Sequence, residues 1–181
     1  FANVRGSGAF GDEWHRAGFK ATKPNTWKDG IACARWLIEQ RYASPATLGI
    51  WGTSAGGIFA GRAVTTAPEL FAAAIFDVGV MDAVRAEQSA NGITNISEFG
   101  SARDAAEFPA LLDMSTYHQI VDGTPYPAVL LVHEDGPAGY PWEVVRGGWS
   151  GERMDTRSAD GNAGRVAVEA HVQPVRQAGE I

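Results

Sequence analysis

Ile50-Trp51-Gly52-Thr53-Ser54-Ala55-Gly56-Gly57 is the stretch that decides the fold. A short apolar run over residues 48–51 enters a Gly-x-Ser-x-Gly turn, and small residues at helical spacing leave it. Strand, sharp turn and helix in that order make a nucleophile elbow, in which a serine stands on a strained bend with its hydroxyl exposed at the tip of a sheet. Gly52 and Gly56 are expected where strand and helix come too close for a side chain. The Ala55 N–H, directly after the serine, can meet a developing oxyanion. The plain alternative is a glycine-rich turn with a merely solvated Ser54, since 22 of the 181 residues are glycine.

Working outward, Ile58, Phe59, Ala60, Ala63 and Val64 continue a helix towards Pro68, and residues 71–76 form an apolar run of strand length. Upstream, Ile31, Ala34, Leu37 and Ile38 recur at helical spacing, which predicts a helix over residues 27–41. Thr26-x-x-Asp29 reads as its capping box. Residues 127–132 are a further strand. Strands alternating with helices imply a parallel, doubly wound sheet. Short, nearly continuous apolar strands agree with a sheet covered on both faces. Ligands of such sheets sit beyond the carboxyl ends of the strands, and Ser54 falls at one such end. Residues 85–120 read as an excursion that shapes a pocket. It carries a short helix near Arg85-Ala86-Glu87, a turn at Asn91-Gly92 and a helix over residues 105–112. Phe1-Ala2-Asn3-Val4 reads as the end of a strand, so more chain is expected before it.

The bulk properties exclude several functions. A 45% hydrophobic chain of this length buries one real core. A net charge of −6 and no basic patch argue against a nucleic-acid partner. No apolar run is long enough to span a membrane. The sequence leaves localisation unknown. The one cysteine, Cys33, cannot form an internal disulfide and reads as a small packed residue. A phosphate cradle in Arg5-Gly6-Ser7-Gly8 is disfavoured by the acidic Asp12 and Glu13 that follow. His15 has no second histidine at metal-ligand spacing, so it reads as a structural, hydrogen-bonded residue, and neither metal nor cofactor is expected. Asp77 and Asp82 read as loop-capping carboxylates, with a triad acid as the alternative.

Further stretches carry a resemblance. They are Ala2-Asn3-Val4-Arg5-Gly6-Ser7-Gly8, Gly11-Asp12-Glu13-Trp14-His15, Pro68-Glu69-Leu70-Phe71, Val78-Gly79-Val80-Met81-Asp82, Glu98-Phe99-Gly100 and Ser115-Thr116-Tyr117-His118, together with the elbow. In that order and spacing, residues 1–133 resemble the catalytic domain of the prolyl oligopeptidase family of serine peptidases. The resemblance implies an α/β-hydrolase fold, truncated at the N-terminus. It also implies hydrolysis of short peptides through an acyl-enzyme on Ser54, with the Ala55 N–H in the oxyanion site. A second oxyanion donor, a tyrosine, and a β-propeller domain would both lie ahead of Phe1. Asn95 stands where proline-cleaving members place a substrate-binding tryptophan, which argues against strict cleavage after proline. An esterase or acyltransferase on the same fold, and a hydrolase-like binding module without catalysis, are the alternatives.

After His133 the likeness stops. The family's acid follows the Val-Leu-Leu strand in a pattern like Asp-Pro-Arg-Val, whereas this chain reads His133-Glu134-Asp135-Gly136-Pro137-Ala138-Gly139. Asp135 is the acid candidate, two positions early. His171 is the base candidate, without the family's Gly-His-Gly-like setting. Residues 134–181 read as an atypical, glycine-punctuated tail with at most a short strand at Val166-Ala167-Val168. A shift of reading frame near Glu134 would account for the break; the alternative is a diverged tail that supplies Asp135 and His171 in new positions. Gly-Pro-Ala-Gly spelled GGA-CCC-GCG-GGT, followed by T, reads Asp-Pro-Arg-Val one base later, and the gene sequence tests this directly. The expectation is a peptidase domain whose nucleophile is intact and whose acid and base are lost, leaving the fragment impaired.

Overall fold

The computed structural model describes residues 2–89, 92–135 and 165–171. Its elements run α1 (Asp12–Arg16), α2 (Pro24–Glu39), β1 (Gly49–Thr53), α3 (Gly56–Thr66), β2 (Ala73–Asp77), α4 (Gly92–Phe99), α5 (Phe108–Met114), β3 (Ala128–Asp135) and β4 (Arg165–His171), with short 3-10 turns between them. The strands form one sheet in the order β1-β2-β3-β4. The first three are parallel, with Thr53, Asp77 and Val132 in line, and β4 runs antiparallel to β3. The parallel α/β sheet expected from the sequence is therefore present.

Packing follows from strand alternation. Successive side chains point to opposite faces, and the register puts Gly52, Phe76 and Leu131 on one face and Trp51, Ile75 and Leu130 on the other. The first face is buried against α3, whose Ile58, Ala60, Ala63 and Val64 are at most 1% exposed. Helix α2 lies on α3 and adds Trp27, Ile31 and Ala34 to the core. On the second face Trp51 is 65% exposed. The expectation that β1 is covered on both sides thus fails among the described residues, where β1 is the edge of the sheet.

Three local expectations are corrected. Residues 2–4 are not a strand. The Val4 carbonyl there accepts the Trp14 indole N–H at 3.0 Å and the Ser7 N–H at 3.1 Å, so it serves a turn and not a ladder. Gly92 opens α4 instead of completing a turn, and its neighbour Asn91 lies outside the described residues. Helix α2 begins at Pro24, earlier than the capping-box reading requires, because proline is at home in a first helical turn. Thr26 and Asp29 therefore sit inside the helix and serve a distant loop. Thr26 Oγ1 donates to the Arg5 carbonyl at 2.8 Å. Asp29 accepts the Arg5 backbone N–H at 3.0 Å, Nε–H at 2.8 Å and Nη2–H at 2.5 Å.

That pair gives the fold an acid sensitivity. The Arg5 side-chain hydrogen bonds hold the Asp29 carboxyl below its ordinary value of 3.8. A depressed carboxylate pKa stabilises the fold above the unfolded value, and the contribution is lost as pH falls through the folded value. Stability is thus expected to drop below pH 3.8, and Asp29→Asn should remove that part of the drop. Thermal melts across the acid range check this. An Asp29→Asn profile parallel to that of the parent chain would sink it.

Candidate active site

The site is built where β1 runs out. Ser54 follows Thr53 and takes a φ of 53°, left-handed for a residue with a Cβ. Ala55 then returns to a helical conformation as the N-cap of α3. The reversal of hand throws the serine outward: Ser54 and Ala55 are exposed, while Gly52 and Gly57 on either side are buried. The glycines divide the work differently from the sequence expectation. A Cβ on Gly52 would lie 2.1 Å from the Gly56 carbonyl oxygen and 2.8 Å from the Ala60 Cβ. A Cβ on Gly56 would meet nothing within 4 Å among the described residues. Gly52 is therefore the one compelled by space, and Gly56 contributes the backbone that Gly52 must clear.

The start of α3 provides the anion-facing groups. No side chain caps it. The Gly57 N–H is used, donating to the Ser54 carbonyl at 2.9 Å. The Ala55 N–H has no backbone acceptor among the described residues. A free donor beside the nucleophile, at the positive end of a helix, suits an oxyanion.

The remaining candidates fall into place around this bend or away from it. Asp77 ends β2, accepts the Thr53 hydroxyl at 3.3 Å, and its carbonyl accepts the Ser54 N–H at 3.0 Å. Asp82 is 2% exposed and accepts the Val84 and Arg85 N–H groups at 3.1 and 3.2 Å, a capping carboxylate as its loop position suggests. Asn95 is half-buried on α4. His15 is a structural residue: its Nε2 lies 2.9 Å from Glu98 Oε2, and Lys23 Nζ bonds the other Glu98 oxygen at 3.2 Å, tying α1 and α2 to α4.

Asp135 and His171 are not brought together. Asp135 pairs with Arg165 at the carboxyl end of β3, while His171 pairs with Val129 near its start. Six residues of extended chain separate those two levels by about 20 Å. Asp135 is on the Ser54 side of the sheet, three residues past the level of Thr53. The backbone around Val166-Ala167-Val168 forms a fuller strand than the sequence suggests, Arg165–His171. Residues 136–164 and 172–181, the remainder of the expected tail, lie outside the described residues.

Two features escaped sequence reasoning. Val78, directly after β2, is left-handed with a φ of 43°, which no propensity rule would assign to a β-branched residue. Ser115 and His118 join Asp82 in a cluster, with Ser115 Oγ 2.8 Å from His118 Nδ1 and 3.3 Å from Asp82 Oδ1. The only signal for either was their place in the quoted motifs. Cys33 is half-buried and not tightly packed. It lines a separate cleft of about 470 Å³ with Arg5, Trp14 and Asp29, which does not include Ser54. Among the described residues no cluster of three His, Cys, Asp or Glu side chains could hold a metal ion, and no helix is long and apolar enough to cross a membrane.

Comparison with known proteins follows the same lines. A model of the prolyl oligopeptidase family matches residues 1–136. The chain is 37% identical over 135 residues to the dual function macrocyclase-peptidase POPB of Amanita bisporigera, covering 74% of this chain and 18% of that protein. It is 34% identical to the prolyl endopeptidase of Dictyostelium discoideum, with the same two shares covered. The structure superposes on prolyl oligopeptidase B from Galerina marginata with a TM-score of 0.68 and 36% identity, over 71% of this chain and 18% of that one. The chain thus spans about a fifth of the length of the relatives it matches. Its strand-to-helix bend at Ser54 and its likeness over most of its length agree, and the chain belongs to the prolyl oligopeptidase family.

Proposed function

We propose that the chain is the nucleophile-bearing part of a serine peptidase that hydrolyses short peptides through an acyl-enzyme on Ser54. The observation that carries this reading is the exposed, left-handed Ser54 beside an unused Ala55 N–H. A histidine base would take the hydroxyl proton as the oxygen attacks the peptide carbonyl, with an acidic residue orienting that histidine. The oxyanion would accept the Ala55 N–H. Collapse of the oxyanion would break the C–N bond, the histidine giving its proton to the leaving amine, and water would then hydrolyse the acyl-enzyme. If an amine takes the place of water, the same intermediate gives acyl transfer, and the Amanita relative is named for both outcomes. The full activity would draw on the remainder of a longer protein, where the family resemblance implies a β-propeller domain. In this chain alone Asp135 and His171 stand as candidates at opposite ends of β3, and we read its catalysis as impaired for want of an assembled acid and base.

A fluorophosphonate probe tests both clauses. Mass spectrometry should find the adduct on Ser54, and Ser54→Ala should abolish it. The labelling rate should fall about a millionfold short of that of a full-length relative, the loss expected when the base is not in place. Undiminished labelling in Ser54→Ala would remove Ser54 as the nucleophile. A rate equal to the relative's would show that the chain assembles a working base.

A further inference from the structure

We propose that the turn Val78-Gly79-Val80, braced from behind by Asp82, holds the Ser54 hydroxyl in its attacking direction, and that Gly57 and Gly79 are positioning residues for the nucleophile. The proposal rests on the reading of Ser54 as that nucleophile.

A left-handed residue with a Cβ is unfavourable by itself and persists only where its surroundings dictate it. At Ser54 both backbone groups are gripped by one short segment. Its N–H donates to the Asp77 carbonyl at 3.0 Å, and its carbonyl accepts the Val80 N–H at 2.9 Å. Residues 77–80 thus hold Ser54 at both ends, and they can do so only by bending sharply between the two contacts. The bend is made at Val78, where φ is 43°. The Val78 N–H is in turn fixed to the Val132 carbonyl of β3 at 2.7 Å. The two turns touch backbone to backbone: a Cβ on Gly57 would lie 2.6 Å from the Gly79 Cα and 2.7 Å from the Val80 nitrogen.

The brace lies on the far side of this turn. The Met81 carbonyl accepts the Tyr117 N–H at 2.9 Å. Asp82, inaccessible to water, accepts from Val84, Arg85 and the Ser115 hydroxyl. His118 closes the set against Ser115. Serine, histidine and aspartate in mutual contact look like a second catalytic triad. Ser115 is 0% exposed, however, so no substrate carbonyl reaches it. With Asp82 and Ser115 buried and only His118 reaching solvent, the polar network fixes geometry, and the geometry it fixes is that of the segment gripping Ser54.

Amide hydrogen exchange on the full chain tests this, with Ile31→Ala on α2 as a control that loosens the core outside residues 77–82 and 115–118. In Gly57→Ala the Ser54 and Val80 amides should exchange at least tenfold faster than in a control of matched global stability. In Gly79→Ala, whose new Cβ would sit 3.2 Å from Gly57 Cα and Met81 Sδ, the excess should be severalfold. Gly79→Ala decides the matter if Gly57→Ala does not fold. Fluorophosphonate labelling of Ser54 should fall in the same order while Ile31→Ala keeps the parent rate. Exchange at both amides that follows global stability in every variant overturns the proposal and leaves the nucleophile reading intact. A chain that takes no label at Ser54, yet shows the excess exchange, refutes the peptidase reading and upholds the grip on the Ser54 backbone.

Discussion

Gly52→Ala should cost the domain about 3 kcal/mol, at the upper end for an overpacked site, and lower its melting temperature by roughly 6–12 °C. The reason is what the new methyl meets. It would sit 2.1 Å from the Gly56 carbonyl oxygen and 2.6 Å from its carbon, and backbone cannot rotate aside as a flexible side chain would. Strand β1 and helix α3 must therefore separate. Their separation moves Ser54, and a displacement near 1 Å costs about a hundredfold in reactivity. Gly56→Ala, four residues on, meets nothing within 4 Å among the described residues and should leave the melting temperature unchanged or slightly raised. Calorimetry on the two variants separates a requirement for space from mere membership in a motif. Equal melting temperatures would contradict the account.

The second large effect is expected at Trp27. It is 2% exposed, and its ring lies 5.0 Å from the Arg62 guanidinium carbon. Arg62 is itself 7% exposed and donates through Nε to the Asp113 carbonyl at 2.5 Å and through Nη2 to its carboxylate at 3.1 Å. Burial pushes the Arg62 pKa down, opposed by the Asp113 charge. Trp27→Ala opens a large cavity between α2 and α3, worth about 3–5 kcal/mol. It also removes the aromatic face from a nearly buried cation, a further contribution of about 2 kcal/mol. Trp27→Phe keeps a ring near the cation and should lose well under half as much. Urea denaturation measures both. A loss below about 1 kcal/mol in Trp27→Ala would contradict this packing account.

What could be read from the sequence was whatever its local spacing controls. Gly-x-Ser-x-Gly between an apolar run and small residues located the elbow, because strand, bend and helix each leave a mark within a few residues. The apolar runs gave β2 and β3, and the period at Ile31, Ala34, Leu37 and Ile38 gave α2. Spacing misled where a side chain served a distant partner. Thr26 and Asp29 look like a cap, yet they bind Arg5, 21 and 24 residues away. Val78 was hidden for the opposite reason: a branched residue argues locally against the bend it makes, and only its contacts with β3 and the elbow hold it there. The candidates after His133 rest on nearness to the family's acid and base positions, without the motifs that surround those positions in the family. The sheet register, a long-range property, places Asp135 and His171 at different levels of β3.

The hand of the backbone at residue 54 also acts as a filter on chemistry. A threonine would bring the hydroxyl but carries a second branch at Cβ, which a φ of 53° resists. Cysteine branches no more than serine does and would pass. A change of nucleophile at this bend is therefore easier from oxygen to sulfur, and a secondary alcohol would carry a conformational cost like the one Val78 bears at a φ of 43°.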